Sequence, residues 1–172
     1  GGISPHHEHG ADLVWQIGTG YFGCRDGDGR FSFDRFADVV AAHPQVRAIE
    51  IKLSQGAKPG KGGVLPGGKV TEEIARIRGI PHGQDSISPN RHRDAGNMVE
   101  LLDQVAMIRS LTGRPVGIKT AIGGWHFLNA LGEDVLKRGL EYAPDFLVVD
   151  GGEGGSGAPV MRRAPRRNVR YE

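Results

Sequence analysis

Ala48-Ile49-Glu50-Ile51-Lys52-Leu53-Ser54-Gln55-Gly56-Ala57-Lys58-Pro59-Gly60 is the stretch whose reading decides the fold. Its first six residues form an apolar-rich run of strand length, and the rest breaks into glycine, proline and polar residues. An apolar strand that ends abruptly in a glycine-dense loop is what a parallel α/β sheet presents at the C-terminal end of a strand. Outward from this stretch the same alternation recurs. Upstream, Asp12–Ile17 is a short apolar run stopped by Gly18, and Phe33, Phe36, Val39 and Val40 then recur at helical spacing until Pro44. Downstream, Val70, Ile74 and Ile77 mark a helix with Glu72 and Glu73 in its first turn and Gly79 at its end. Ser86-Ile87-Ser88 reads as a weak third strand cut off by Pro89. Met98, Leu101, Leu102, Val105 and Ile108 make the clearest helical stripe. Val116–Thr120 is the next strand, Leu128, Leu131 and Val135 the next helix, and Phe146–Asp150 the last strand.

Strand, loop and helix in repeated order argue for parallel βαβ units, whose right-handed crossovers bring every strand's C-terminal end to one face. That rim collects Lys52, Ser54 and Gln55, then Ser88, Lys119, and Asp150-Gly151-Gly152. About five strands are expected. A closed barrel of this kind needs eight strands and typically ~250 residues, so 172 residues are read as a smaller open sheet or as part of a barrel.

Composition narrows the classes. The chain is 38% hydrophobic with 28 glycines, which cluster in short patches without a collagen-like period. The formal net charge is +2, but Met161–Arg170 carries five arginines and no acid. Subtracting those five charges leaves −3 on the rest. Cys24 is the single cysteine, so an internal disulfide is excluded. No apolar run approaches the ~18 residues of a membrane span, and no signal-peptide pattern opens the sequence. A cytoplasmic location is the expectation.

Each motif carries two readings. In Gln55–Gly63, glycines let backbone amides approach a ligand while Lys58 adds positive charge and Gln55 can donate and accept. The same loop reads as a solvated surface segment. Lys119 ends an apolar strand, where a charge is costly unless it faces a polar cavity or an anion; a lysine that snorkels off the strand end is the bland reading. Asp150–Pro159 is a second glycine-dense loop after a buried strand, or else a linker. His6, His7 and His9 around Glu8 match no strong metal-ligand spacing. Arg91-His92-Arg93-Asp94 reads as a surface charge cluster. Trp15 and Trp125 read as core or rim residues, and Cys24 as a small buried residue.

Ile49 through Gly60, continuing through Gly62–Pro66 and Lys69-Val70, resembles a signature of the FMN-binding domain of glutamate synthases. Ile87-Ser88-Pro89, the Val116–Lys119 strand, and Val149-Asp150-Gly151 with Glu153–Ala158 match it in the same order. The opening, Gly1–Pro5 through Trp15–Arg25, is similar to stand-alone bacterial and archaeal members. The resemblance implies an α/β fold: part of an FMN-linked (β/α)₈ TIM barrel over residues 1–160, missing its first and last strands, with a divergent Arg-rich tail over 161–172. It implies FMN as cofactor and reduction of 2-iminoglutarate, made from 2-oxoglutarate and ammonia, to glutamate. Carried over by motif, Lys58 and Lys119 would be catalytic. Gln55, Lys58, Ser88, Lys119, Gly152, Gly154 and Gly155 would line the cofactor site, with Lys119 by the flavin N1 edge. An electron-donor protein or domain would be a partner.

The departures are also specific. The late glycine-rich loops that grip the FMN phosphate in this family have no counterpart after Pro159, and the lone Cys24 leaves an iron–sulfur cluster without its ligands. The chain is therefore expected to be an incomplete piece, inactive and binding FMN weakly or not at all by itself; a shifted frame or assembly break would explain the change at Pro159. Two alternatives stand beside this reading. One is another FMN barrel oxidoreductase acting on a different amino or oxo acid. The other is an inactive fragment whose arginine tail binds acidic partners, with nucleic acid not expected because the tail has no aromatic beyond Tyr171 and no basic face.

Overall fold

Alternation along the strands sorts their side chains onto two faces, and this sorting organises the architecture. The computed structural model describes residues 2–56 and 62–152. Four strands, β1 (Leu13–Ile17), β2 (Val46–Lys52), β5 (Val116–Thr120) and β6 (Phe146–Val149), form one parallel sheet in the order β1-β2-β5-β6. Each strand is added beside its predecessor, always in the same direction. Right-handed crossovers then place the connecting helices on one face of the sheet. These helices are α1 (Phe33–Ala42), α3 (Met98–Thr112) and α4 (His126–Arg138).

The helix-facing side is the core. Trp15, Ile17, Ile49, Ile51, Val116 and Ile118 pack with Phe36 and Val40 of α1 and with Leu101, Val105 and Ile108 of α3. Trp15 and Phe36 stack with ring centroids 5.1 Å apart. Helix boundaries follow local chemistry. The Ser32 and Asn97 side chains accept the N–H of Arg35 and Glu100 at the starts of α1 and α3. Gly113, at φ +62°, ends α3 in the left-handed conformation that glycine adopts at least cost.

The opposite face carries a layered set. Gln16, Glu50, Gly117 and Phe146 are register partners across the four strands, and Lys52, Lys119 and Val148 form the next layer toward the C-terminal ends. The Gln16 amide donates to Glu50, which is buried.

One strand departs from expectation. Ser86–Ser88 (β4) does not join the parallel sheet; it pairs antiparallel with β3 (Gly63–Leu65) to form a separate two-stranded ribbon. Helix α2 (Glu72–Arg78) sits between the two. A three-residue alternation fixes which side chains share a face but carries no information on strand direction. Its partner comes from a segment that reads as loop. The described residues thus contain a four-stranded parallel sheet rather than five consecutive parallel strands.

Candidate functional site

The C-terminal ends of the parallel strands bring distant segments together. Lys52 and Lys119 are register partners on β2 and β5, so both project from the same face. The Lys119 ammonium lies 3.0 Å from one carboxylate oxygen of Asp150, just past β6. The other Asp150 oxygen accepts the Gly56 N–H at 2.6 Å. The Lys52 ammonium donates to the Gln55 side-chain oxygen at 3.1 Å. The turn after β2 and the turn after β6 touch directly. A Cβ built on Gly56 would stand 1.8 Å from the Gly151 carbonyl oxygen, so no side chain fits there.

Below this layer the strand ends are laced together. The Ser54 hydroxyl accepts the Ala121 N–H at 2.8 Å and lies 3.1 Å from the Thr120 hydroxyl. The Asp150 N–H donates to the Thr120 carbonyl at 2.9 Å. Burial alone would raise the Asp150 carboxyl, but the Gly56 amide, the Lys119 ammonium and the Lys52 charge outweigh it and hold it below the usual aspartate range.

The loop leading into α3 braces the rim from the side. His92 is buried, and its Nε2 meets the Lys52 carbonyl at 2.7 Å. Burial depresses its pKa, against the opposing effects of that hydrogen bond and of Asp94. The Asp94 carboxylate accepts the Phe31 N–H and lies 3.4 Å from Arg30, while the Asp94 N–H donates to the Tyr21 hydroxyl. Arg91–Asp94 is therefore not merely a surface charge cluster, because His92 is buried and the part-buried Asp94 bonds to Phe31 and Tyr21. The hydroxyl of Thr19, past β1, donates to the Pro89 carbonyl at 2.6 Å.

The expected site residues divide as follows. Gln55 and Lys119 lie at one rim, joined through Lys52, Gly56 and Asp150. Gly152 follows on the exposed continuation of the same turn. Ser88 belongs to the antiparallel ribbon, where it pairs with Gly63; Pro89 links that ribbon to the end of β1. Lys58, Gly154 and Gly155 lie outside the described residues, as does the arginine tail. The Asp150 carboxylate had no assigned role in the sequence reading. Its only signal there was an acid at the end of an apolar strand, beside two strands that end in lysine.

Other candidates resolve plainly. Among the described residues, no group of three His, Cys, Asp or Glu side chains is placed to share a metal ion. Cys24 is fully buried, and burial pushes its thiol up to about 12, which removes it from nucleophilic chemistry near neutral pH. Trp15 is core and Trp125 is exposed. No helix among the described residues is long and apolar enough to cross a membrane.

Residues 1–164 match the family model described as a conserved region in glutamate synthase. The chain belongs to the glutamate synthase family. It is 42% identical over 165 residues to the glutamate synthase large subunit-like protein YerD of Bacillus subtilis, covering 95% of this chain and 31% of that protein. It is 42% identical over 149 residues to the archaeal-type glutamate synthase [NADPH] of Thermotoga neapolitana, covering 86% of this chain and 25% of the relative. The glutamate synthase [NADPH] large chain of Azospirillum brasilense matches at 33% over 139 residues, 80% of this chain and 8% of the relative. The chain thus spans under a third of these glutamate synthase relatives. The matched region includes every rim residue described above.

Proposed function

We propose that this chain forms part of the flavin-binding (β/α)₈ barrel of a glutamate synthase-type oxidoreductase that reduces 2-iminoglutarate, derived from 2-oxoglutarate and ammonia, to glutamate. The carrying observation is the side-by-side placement of Lys52 and Lys119 at the C-terminal ends of neighbouring parallel strands, with Asp150 and the Gly56 turn against them. In barrels of this class that end of the sheet holds the active site. The strand order, advancing one neighbour at a time, favours a barrel wall over a doubly wound sheet, whose order reverses direction.

These residues fit the electron-rich edge of a flavin ring. Two ammonium groups face one carboxylate, leaving a net positive charge among the described rim groups. Gln55 offers an amide, and Gly56 and Gly151 allow the backbone to come close. When bound, FMN would supply the hydride equivalent. Lys119 would hold a positive charge where negative charge develops on reduction. Lys52 and Gln55 would orient the carboxylate-bearing substrate by charge and hydrogen bonding. Reducing equivalents would come from a donor protein or domain, in keeping with the NADPH in the names of the relatives.

The test is a chimera in which residues 2–152 of this chain replace the matching segment of the Thermotoga neapolitana relative. Copurifying FMN and glutamate formation from 2-oxoglutarate and ammonia are expected. A folded chimera that carries no flavin would sink the reading. Titration of the chain itself with FMN, followed by quenching of flavin fluorescence, measures how much of the site these residues hold without the rest of the barrel.

A further inference from the structure

We propose that Asp150 is a positioning residue that locks Lys119 and the Gln55–Gly56 turn into one fixed relation at the rim. Its two carboxylate oxygens are divided between them, one 3.0 Å from the Lys119 ammonium and the other accepting the Gly56 N–H at 2.6 Å. Its own N–H is anchored on the Thr120 carbonyl at 2.9 Å. Asp150 thereby joins the ends of three strands. Gly56 and Asp150 are 94 positions apart in sequence, and the contact of Gly56 with the Gly151 carbonyl leaves no space for a side chain to make the link instead.

The arrangement has a physical rationale. A lysine side chain has four rotatable carbons and a strongly hydrated head, so a lone Lys119 would sample many positions. Charge-assisted hydrogen bonds are short and strong enough to select one of them. Lys119 and Asp150 have side chains only 21% and 24% exposed, so solvent screens the pair less than a surface pair. Any shift of the turn after β2 moves the carboxylate, and with it the ammonium. An anionic ligand, such as the carboxylate of a 2-oxo acid or the electron-rich edge of a reduced ring, would meet a pre-set charge rather than organise one. That consequence rests on the flavin reading above; the clamp itself does not.

The test uses the full chain, with Asp150→Asn and Asp150→Glu compared with the native protein. Trace acylation by acetic anhydride, read by mass spectrometry at individual lysines, reports on Lys119, with exposed Lys137 as the internal control. Amide exchange reports on Gly56, and on Ile49 and Ile118 as core controls. In Asp150→Asn, Lys119 acylation should rise roughly tenfold, the scale of one lost charge-assisted hydrogen bond. Gly56 exchange should accelerate while Lys137 and the core amides stay unchanged. Asp150→Glu should restore protection of Lys119. Faster Gly56 exchange with Lys119 acylation unchanged would mean that Asp150 merely closes a turn, and would overturn the proposal. If Asp150→Asn loses its core protection, Lys119→Met decides: the clamp predicts faster Gly56 exchange within an intact core, and Gly56 exchange unchanged from the native chain is the overturning result. FMN quenching is read in parallel. Flavin content of the chimera decides the proposed function, while lysine labelling alone decides the clamp.

Discussion

The ring of Phe146 lies directly over Gly117, so that a Cβ added at Gly117 would stand 2.2 Å from two ring carbons. The two residues are register partners on β5 and β6, on the face of the sheet away from the helices. Gly117 is thus a shape requirement: its missing side chain is the seat of the aromatic ring. Gly117→Ala should destabilise the chain by roughly 1–3 kcal/mol, the usual cost of overpacking. Adding Phe146→Ala should recover part of that loss, because the clash goes with the ring. Urea unfolding midpoints of the two single variants and the double variant check this; strictly additive losses would show that the ring is not what Gly117 accommodates.

His92 makes stability depend on pH in a definite direction. Burial holds its folded pKa below the ordinary histidine value. The unfolded chain therefore takes up the proton first, and stability falls as pH drops below about 6.5. The urea midpoint at about pH 5.5 should lie below that at about pH 7.5, and His92→Gln should shrink the difference. An unchanged pH dependence in His92→Gln would show that the imidazole does not carry it.

Asp145 brackets the start of β5. Its carboxylate accepts the Val116 N–H at 2.7 Å and the Arg109 side chain at 3.0 Å, and its N–H donates to the Val116 carbonyl at 2.8 Å. The same Arg109 holds the Glu141 and Ala143 carbonyls of the segment before β6. Asp145→Ala should cost about 1–2 kcal/mol by leaving a part-buried amide without its acceptor. Amide exchange at Val116 should accelerate more than at Ile49. Equal acceleration at both would point to global loosening instead.

Lys119→Met in the Thermotoga chimera tests the rim chemistry. The side chain keeps its length and loses its charge. Glutamate formation should fall on the order of a hundredfold, the scale seen when one preorganised electrostatic contact is removed. The FMN content should fall much less. Undiminished turnover would remove Lys119 from the chemistry.

Much of the local structure was legible in the residues. The Ala48–Leu53 run appears as strand as far as Lys52, the stripe from Met98 to Ile108 as helix, and the stop at Gly79 as a left-handed cap. The rim was legible in part. Gln55 and Lys119 come together because strands of one parallel sheet end at one face. The role of Asp150 was not legible, because an acid after a strand reads the same whether it is solvated or holds a lysine from another strand.

The sequence by itself determined the periods, the caps and the family, since backbone angle, apolar spacing and motif order are carried within short stretches of chain. Only the tertiary structure decided that Ser86–Ser88 pairs antiparallel with Gly63–Leu65, that Phe146 fills the space over Gly117, and that one carboxylate holds both Lys119 and Gly56. The reason is physical. Local propensity acts over a few residues, whereas these contacts join segments tens of positions apart, and packing of the whole sheet selects which of many locally acceptable partners meet.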